Sequence, residues 1–428
     1  MKVSLITIAL AVVLFSCRNE PKTIVGKNFT DSLIAHYSLP PAIKTTGEEI
    51  AFWKNRIDPV ATGISNESRY AASLISRFHQ LGDIKDIKMA DSMMRLVNAA
   101  YQYREAAPNM AICQYSILQH RFGEAGNYLE NARQIGLKKY ELLTASFDVD
   151  FELGRHTNAA LYIRQLQSYG DYGYYFRRSK MEHLNGQIDS AIQSMLTAAE
   201  KASNSDYLKN AALANAADLY IHAGKLQEAA ALYQQCIRMN SAGFHSITGL
   251  GWIALVYDKN DTLAQQLFEF VLSKTKLPDP LFKLCQVAQQ RRDSIAEDGY
   301  ARAFAEKASD TLYGNMYNKY LVELYTGILH DPSKAVVLTK RELLNRSTPQ
   351  TNAWYAWALL QNNNREEAYK VYQQFVSGKP LEALELYWMG KLMQALGKGY
   401  NAKAFFKEAY KNRYDLSPAM VADLELER

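Results

Sequence analysis

The residues that could bind a metal ion or act as nucleophiles are few and widely separated in this sequence. The 428 residues include four cysteines and eight histidines. Cys113, Cys236 and Cys285 lie in apolar stretches with helical periodicity, without a C-x-x-C pair or a histidine at metal-ligand spacing. The histidines occur singly, outside H-E-x-x-H or a related pattern. We therefore expect three core thiols, no disulfide and no metal site.

Sequence motifs for catalysis are also missing. The chain has no G-x-S-x-G motif and no phosphate loop, and Gly249-Leu250-Gly251 lacks the third glycine of a dinucleotide-binding turn. Adjacent carboxylates such as Glu366 and Glu367 face different sides of a helix, so they cannot work as an acid–base pair. The sequence predicts no catalytic residue, no cofactor and no enzymatic activity.

One segment, residues 169–178, could form a binding surface. It combines aromatic rings with two guanidinium groups. The candidate partner-binding residues are Tyr169, Tyr172, Tyr174, Arg177 and Arg178. Such a set suits peptide carboxylates, sugar faces or the hot spot of another protein. The alternative is a glycine-containing turn that runs into a helix whose rings belong to the core, and the sequence leaves both interpretations open.

The composition is that of an ordinary globular protein. The net charge is +5, with 48% hydrophobic and 22% charged residues. These values exclude a disordered chain and a collagen-like fibre. Because the basic excess is small, we expect no nucleic-acid partner.

The N-terminal residues have the features of a secretory signal. Met1-Lys2 is followed by a 13-residue apolar run, Val3 to Phe15. As a helix it would span about 20 Å, which is short of the roughly 30 Å hydrocarbon layer. The next residues complete Leu14-Phe15-Ser16-Cys17, which resembles the bacterial lipobox. The resemblance implies lipidation of Cys17, and the absence of an acidic residue after it favours the outer membrane. A conventional signal peptide that leaves a free thiol is the alternative.

The chain divides into five regions. Residues 1–16 are the predicted signal peptide, and residues 17–45, which are rich in Pro, Gly and polar residues, are predicted to be a tether. Residues 46–65 contain a short amphipathic helix with Ile50, Trp53 and Ile57 on one face, which we expect to cap the first repeat. Residues 66–416 form a repeat array, and residues 417–428 form a charged, solvent-facing capping helix.

The repeat array is indicated by small and aromatic residues that recur about every 34 residues. In the clearest units a small residue is followed twelve residues later by an alanine, and four residues after that by an aromatic residue. The residues that define these units are Ala217, Tyr220, Ala229, Tyr233, Ala356, Ala368, Tyr372, Pro380, Gly390, Ala402 and Phe406. Small residues at facing positions let two helices approach to the lower end of the usual 8–10 Å spacing.

This pattern resembles the tetratricopeptide repeat. The alanine of the second helix can be followed through ten units: Ala90, Ala125, Ala159, Ala191, Ala229, Ala264, Ala296, Ala335, Ala368 and Ala402. The resemblance implies an all-α fold, a right-handed α-solenoid of about ten hairpins. Combined with the N-terminal motif, the chain is similar to tetratricopeptide-repeat lipoproteins of bacteria such as the Bacteroidota.

The resemblance also implies a function. A solenoid offers a concave face for a protein or an extended peptide. We expect a scaffold for protein–protein interaction in the cell envelope, held at the outer membrane by its N-terminal lipid and without a small-molecule cofactor. The alternative is a lipoprotein that binds a glycan or peptide for nutrient uptake.

Overall fold

A computed structural model describes residues 23–57, 64–397 and 399–427. Cys17, the predicted signal peptide and the first residues of the predicted tether lie outside the described residues. The structure is 78% helical, and the described residues contain no strand. The predicted all-α solenoid is therefore confirmed. Within the same ranges, no helix has the length and apolar character needed to span a bilayer.

The described residues form 23 α-helices. The first twelve are α1 (Lys27–Ala35), α2 (Pro41–Lys54), α3 (Ile64–Leu81), α4 (Ile84–Ala100), α5 (Ala106–Leu118), α6 (Phe122–Ile135), α7 (Lys139–Glu152), α8 (His156–Leu166), α9 (Tyr172–Leu184), α10 (Ile188–Lys201), α11 (Asp206–His222) and α12 (Leu226–Met239). The others are α13 (Phe244–Val256), α14 (Asp261–Lys274), α15 (Asp279–Arg291), α16 (Ser294–Ala308), α17 (Asn318–Thr326), α18 (Pro332–Asn345), α19 (Pro349–Gln361), α20 (Arg365–Val371), α21 (Ala383–Leu396), α22 (Ala402–Lys411) and α23 (Pro418–Glu427). Two 3₁₀ turns, Thr311–Tyr313 and Arg413–Asp415, and a π-helical turn, Tyr372–Val376, complete the set.

Helices α3 to α22 pack as ten consecutive pairs, from α3/α4 to α21/α22. The ten alanines that marked the units all lie in the second helix of a pair, and eight of them are fully buried. Ala296 and Ala402, in the first turns of α16 and α22, are half-buried. Ala301 and Ala409, deeper in the same helices, are fully buried.

Close approach within a pair depends on small residues, as the repeat pattern predicts. A Cβ atom on Gly390 would lie 2.4 Å from the ring of Phe406, which is buried on the facing helix. A Cβ atom on Gly251 would lie 2.6 Å from the ring of Phe268. Because core side chains pack at crystal-like density, neither ring has free space to move into.

Residues 23–45 pack against the solenoid, where the composition predicted a tether. The carboxylate of Asp258, in the turn after α13, accepts hydrogen bonds of 2.8 Å from the backbone amides of Ile24 and Val25. Val25 is buried, and Phe29 and Leu33 pack against the core formed by α12–α14. Val25 precedes α1, and Phe29 and Leu33, spaced i, i+4, lie on one face of that helix. The helix α2 then begins at Pro41 and pairs with α3.

The solenoid is wound so tightly that successive turns touch. The amide of Lys276 donates a 3.0 Å hydrogen bond to the carbonyl of Leu81. The carbonyl of His120 accepts hydrogen bonds from the side chains of Asn315 (3.1 Å) and Asn345 (2.8 Å). These partners are about 195 to 225 residues apart in sequence. At about 34 residues per hairpin, one superhelical turn therefore takes roughly six hairpins.

A third set of contacts holds the C-terminal end against the middle of the chain. Asn412 donates a 2.9 Å hydrogen bond to the carbonyl of His222, and the indole of Trp252 donates one of 2.7 Å to the carbonyl of Tyr414. The last helix, α23, packs on α22 and also reaches α15. Its Leu424 is fully buried, so this helix does more than present charge to solvent at the end of the array.

Candidate binding channel

The inner side of the coil encloses three adjoining cavities, which together we call the channel. Their volumes are about 860, 620 and 360 Å³. The first two share Asn215 and Asp218 in their walls, and the last two share Phe282 and Glu323. The three cavities therefore adjoin one another along the inside of the superhelix.

The wall of the middle cavity is built mainly from the first helices of successive pairs. Helix α9 contributes Ser179, α11 contributes Asp218, α15 contributes Lys283 and α17 contributes Tyr320. The repeated hairpins therefore present side chains from several first helices to the channel. Met420 of α23 adds to the walls of the middle and the smallest cavity.

Two ionisable groups in the channel have pKa values near neutrality. Desolvation lowers the pKa of Lys283 to about 8, against the opposing charges of Glu323 and Asp279. The ammonium of Lys283 also lies 3.6 Å from the ring centroid of Trp252. Desolvation raises the pKa of Glu323 to about 7, against the attraction of Lys319 and Lys283. The channel can therefore change its charge within the physiological pH range.

Lys319 and His245, which also belong to the channel region, are paired with carboxylates. The ammonium of Lys319 is 3.1 Å from the buried carboxylate of Glu385, and this pairing outweighs desolvation and raises the pKa of Lys319. His245 is bonded to Asp218 at 2.9 Å, and the carboxylate raises the pKa of His245 to about 9. The hydroxyl of Tyr233 donates to the same carboxylate of Asp218.

A cluster of two histidines and two carboxylates lines the middle cavity. Single ligand atoms of His183, His222 and Glu382 lie within 4.8 Å of one another. Nδ1 of His222 is 2.6 Å from the carboxylate of Asp415. Desolvation lowers the pKa of His183; it also opposes the charged form of His222, but the hydrogen bond to Asp415 outweighs it and raises that pKa.

The sequence patterns predicted no metal site and did not indicate that these residues come together. The residues come from the end of α9, the end of α11 and the residue before α21, with Asp415 in the C-terminal 3₁₀ turn. No local motif could have identified them, because they meet only where the C-terminal end of the coil contacts its middle. The positions of single histidines at the ends of first helices were the only available signal.

The aromatic and arginine segment at residues 169–178 is largely engaged within the fold. Arg177 pairs with Asp148 and donates a 3.0 Å hydrogen bond to the carbonyl of Gly173. Arg178 pairs with Glu182 at 2.8 Å. Both guanidinium groups therefore have intramolecular carboxylate partners.

The three tyrosines of that segment also have partners inside the fold. Tyr174 is buried, Tyr172 stacks on Phe176, and the exposed Tyr169 meets the ring of Tyr140 edge-on. This placement favours the structural interpretation of the segment over a binding surface.

The repeat-defining residues lie in the hairpin interfaces, with a few at the turns. Ala217, Ala229, Ala356 and Ala368 are fully buried. The aromatic ring of Tyr233 is buried beneath Gly249, whereas Tyr220 and Tyr372 are half-buried and Pro380 is exposed in the turn before α21. Cys113, Cys236 and Cys285 are buried free thiols, and desolvation raises the pKa of each.

Comparison with known proteins gives similarity at the level of architecture. No family model matches the sequence, and no curated protein matches it. Among solved structures, a tetratricopeptide repeat protein from Parabacteroides merdae is 14% identical, with a TM-score of 0.35 over 59% of this chain and 96% of its own. The human IFIT1 dimer with PPP-AAAA is 12% identical, with a TM-score of 0.48 over 81% of this chain and 80% of its own.

Proposed function

We propose that this chain is a non-catalytic scaffold that holds an extended segment of a protein partner in its channel. The observation that carries the proposal is the channel, a row of three adjoining cavities whose walls come largely from the first helices of several hairpins. Its walls combine the aromatic groups Phe282 and Tyr320 with Lys283 and Glu323. A peptide backbone with mixed side chains needs this combination of apolar surface and polar groups.

We further propose that the scaffold belongs to the bacterial cell envelope and is anchored through lipid on Cys17. The lipobox-like Leu14-Phe15-Ser16-Cys17 after a short apolar run supports this part of the proposal. One acyl chain gives marginal membrane binding and stable anchoring needs a second signal, so a diacylated cysteine would be sufficient. Labelled palmitate should enter the wild-type chain in growing cells, and Cys17→Ala should abolish labelling and move the chain to the soluble fraction.

Selection of peptides from a random display library tests the binding site. Peptides selected on the wild-type protein should lose at least tenfold in affinity when Lys283→Glu reverses a charge inside the channel. Lys340→Glu, which makes the same change at an exposed position on the outer helix α18, should leave affinity within about twofold. Equal binding to both variants would place the peptides outside the channel and contradict the proposal.

Capture of a free glycan or peptide for nutrient uptake is the second candidate function. It is favoured by the size of the two larger cavities, about 860 and 620 Å³, because small-ligand sites commonly have 300–1,000 Å³. Titration with a panel of soluble oligosaccharides separates the two functions. Binding that is lost in Tyr320→Ala, without selection of any peptide, would support uptake instead of scaffolding.

A further inference from the structure

We propose that His183, His222 and Glu382 bind one Zn²⁺ ion inside the channel, with Asp415 as the outer partner of His222. Two imidazole nitrogens and one carboxylate oxygen form a donor set that zinc accepts in proteins. None of these residues was selected by any sequence pattern, and all three protein ligands belong to this chain.

The separation of the three ligand atoms is compatible with one ion. Bonds of about 2.0–2.1 Å in a tetrahedral arrangement put ligand atoms roughly 3.3 Å apart. The observed group falls within 4.8 Å, so the ligands must close by at most about 1.5 Å. Glu382 is half-buried just before α21, and rotation of its long side chain can bring its carboxylate closer to the two histidines.

The contact between His222 and Asp415 prepares the histidine for metal binding. With Nδ1 donating its proton to the carboxylate at 2.6 Å, the neutral ring carries its free lone pair on Nε2. Metal-bound histidines commonly donate their other ring nitrogen to a carboxylate in this way. The segments that carry His222 and Asp415 are also joined by a second contact, because the side chain of Asn412 donates a 2.9 Å hydrogen bond to the carbonyl of His222.

The two remaining ligands have no competing partner. In the part of the chain that the structure describes, no hydrogen bond or ion pair engages the ring nitrogens of His183 or the carboxylate of Glu382. The rings of His183 and His222 meet edge to face, with centroids 4.7 Å apart. Both face the middle cavity, which leaves room for water or a partner side chain as the fourth ligand.

The ion would join segments that are distant in sequence. His183 ends α9, His222 ends α11 and Glu382 precedes α21, so a bound ion ties the C-terminal hairpin to the two units it touches across the channel. Zinc occupancy should therefore stabilise the folded chain, since a ligand that binds only the folded state raises its stability.

Calorimetric titration of the EDTA-treated full chain with Zn²⁺ tests the site. We expect one ion per chain in the wild type, with affinity reduced at least tenfold in His183→Ala and in Glu382→Gln. Asp415→Asn should weaken binding by about 10- to 100-fold, the range seen for outer partners of metal ligands. His245→Gln removes another carboxylate-bound histidine from the same channel and should leave the affinity unchanged.

Cobalt substitution provides a readout that a merely destabilised variant cannot imitate. Co²⁺ added to the wild type should give the visible absorption of a four- or five-coordinate site, and this band should be absent in His183→Ala with an unchanged far-ultraviolet circular dichroism spectrum. Failure of the wild type to take up Zn²⁺ at micromolar concentration, or equal uptake by wild type, His183→Ala and Glu382→Gln, would overturn the proposal.

Discussion

The contact between Gly390 and Phe406 allows the hairpin packing to be tested with a single methyl group. Gly390 lies in the middle of α21, where exchange of glycine for alanine normally stabilises a helix by about 1 kcal/mol. Here the added Cβ would stand 2.4 and 2.6 Å from two carbon atoms of the Phe406 ring. That ring is 1% exposed and has no space to retreat into. Overpacking of this kind costs about 1–3 kcal/mol.

A matched control separates this cost from helix propensity. Gly299 lies inside α16, and a Cβ there would meet no atom within 4 Å. We expect Gly299→Ala to gain about 0.5–1 kcal/mol and Gly390→Ala to be less stable than that control by about 1–3 kcal/mol. Urea unfolding followed by circular dichroism measures both variants under identical conditions.

Shortening the opposing side chain should relieve the overlap. In a Phe406→Leu background, Gly390→Ala should cost about 1 kcal/mol less than in the wild type, because contacting residues are energetically coupled. If Gly390→Ala stabilises the protein as much as Gly299→Ala does, the close approach of α21 and α22 is wrong.

Three further predictions concern the closure and the packing of the coil. Gly314 has a φ of +61°, and an added Cβ would lie 2.4 Å from the carbonyl oxygen of Gln119. Gly186 has a similar φ of +73° but open surroundings, so Gly314→Ala should lower the free energy of unfolding by at least about 1 kcal/mol more than Gly186→Ala. Desolvation, with a contribution from Arg346, lowers the pKa of His120 to about 4 from 6.5. Between these pH values the unfolded chain therefore binds more protons than the folded chain. As the pH drops from 6.5 to 4, the free energy of unfolding should fall by about 2–3 kcal/mol more in the wild type than in His120→Asn, and urea unfolding across that range measures the difference. Ala229→Leu should destabilise by about 1–3 kcal/mol, and an unchanged thermal midpoint would contradict the assigned frame.

The local architecture could be predicted from the sequence because it depends on short-range periodicity. A small residue such as Ala356 and an alanine twelve residues later, Ala368, must face each other in a tight helical hairpin, and both are fully buried. The N-terminal segment was predicted incorrectly, because its prolines and glycines concealed the i, i+4, i+8 apolar spacing of Val25, Phe29 and Leu33.

The channel and its histidine cluster could not be predicted in the same way. Their geometry depends on the small rotation between neighbouring hairpins, which accumulates until residues about 190 positions apart touch. A sequence pattern fixes each hairpin but does not fix this angle. His222 and Glu382 therefore meet for a reason that no local motif contains.

The contact of Ile24 with the solenoid limits how far the folded part can lie from any lipid anchor on Cys17. The amide of Ile24 donates a hydrogen bond to Asp258, and Ile24 is only seven positions after Cys17. Fully extended, that stretch reaches about 25 Å at most. If Cys17 were lipidated, the turn between α13 and α14, which contains Asp258, would lie close to the lipid headgroups. The solenoid could then rotate about this one attachment point. In such an anchored chain, contact with more distant parts of the envelope would depend on the length of the bound partner.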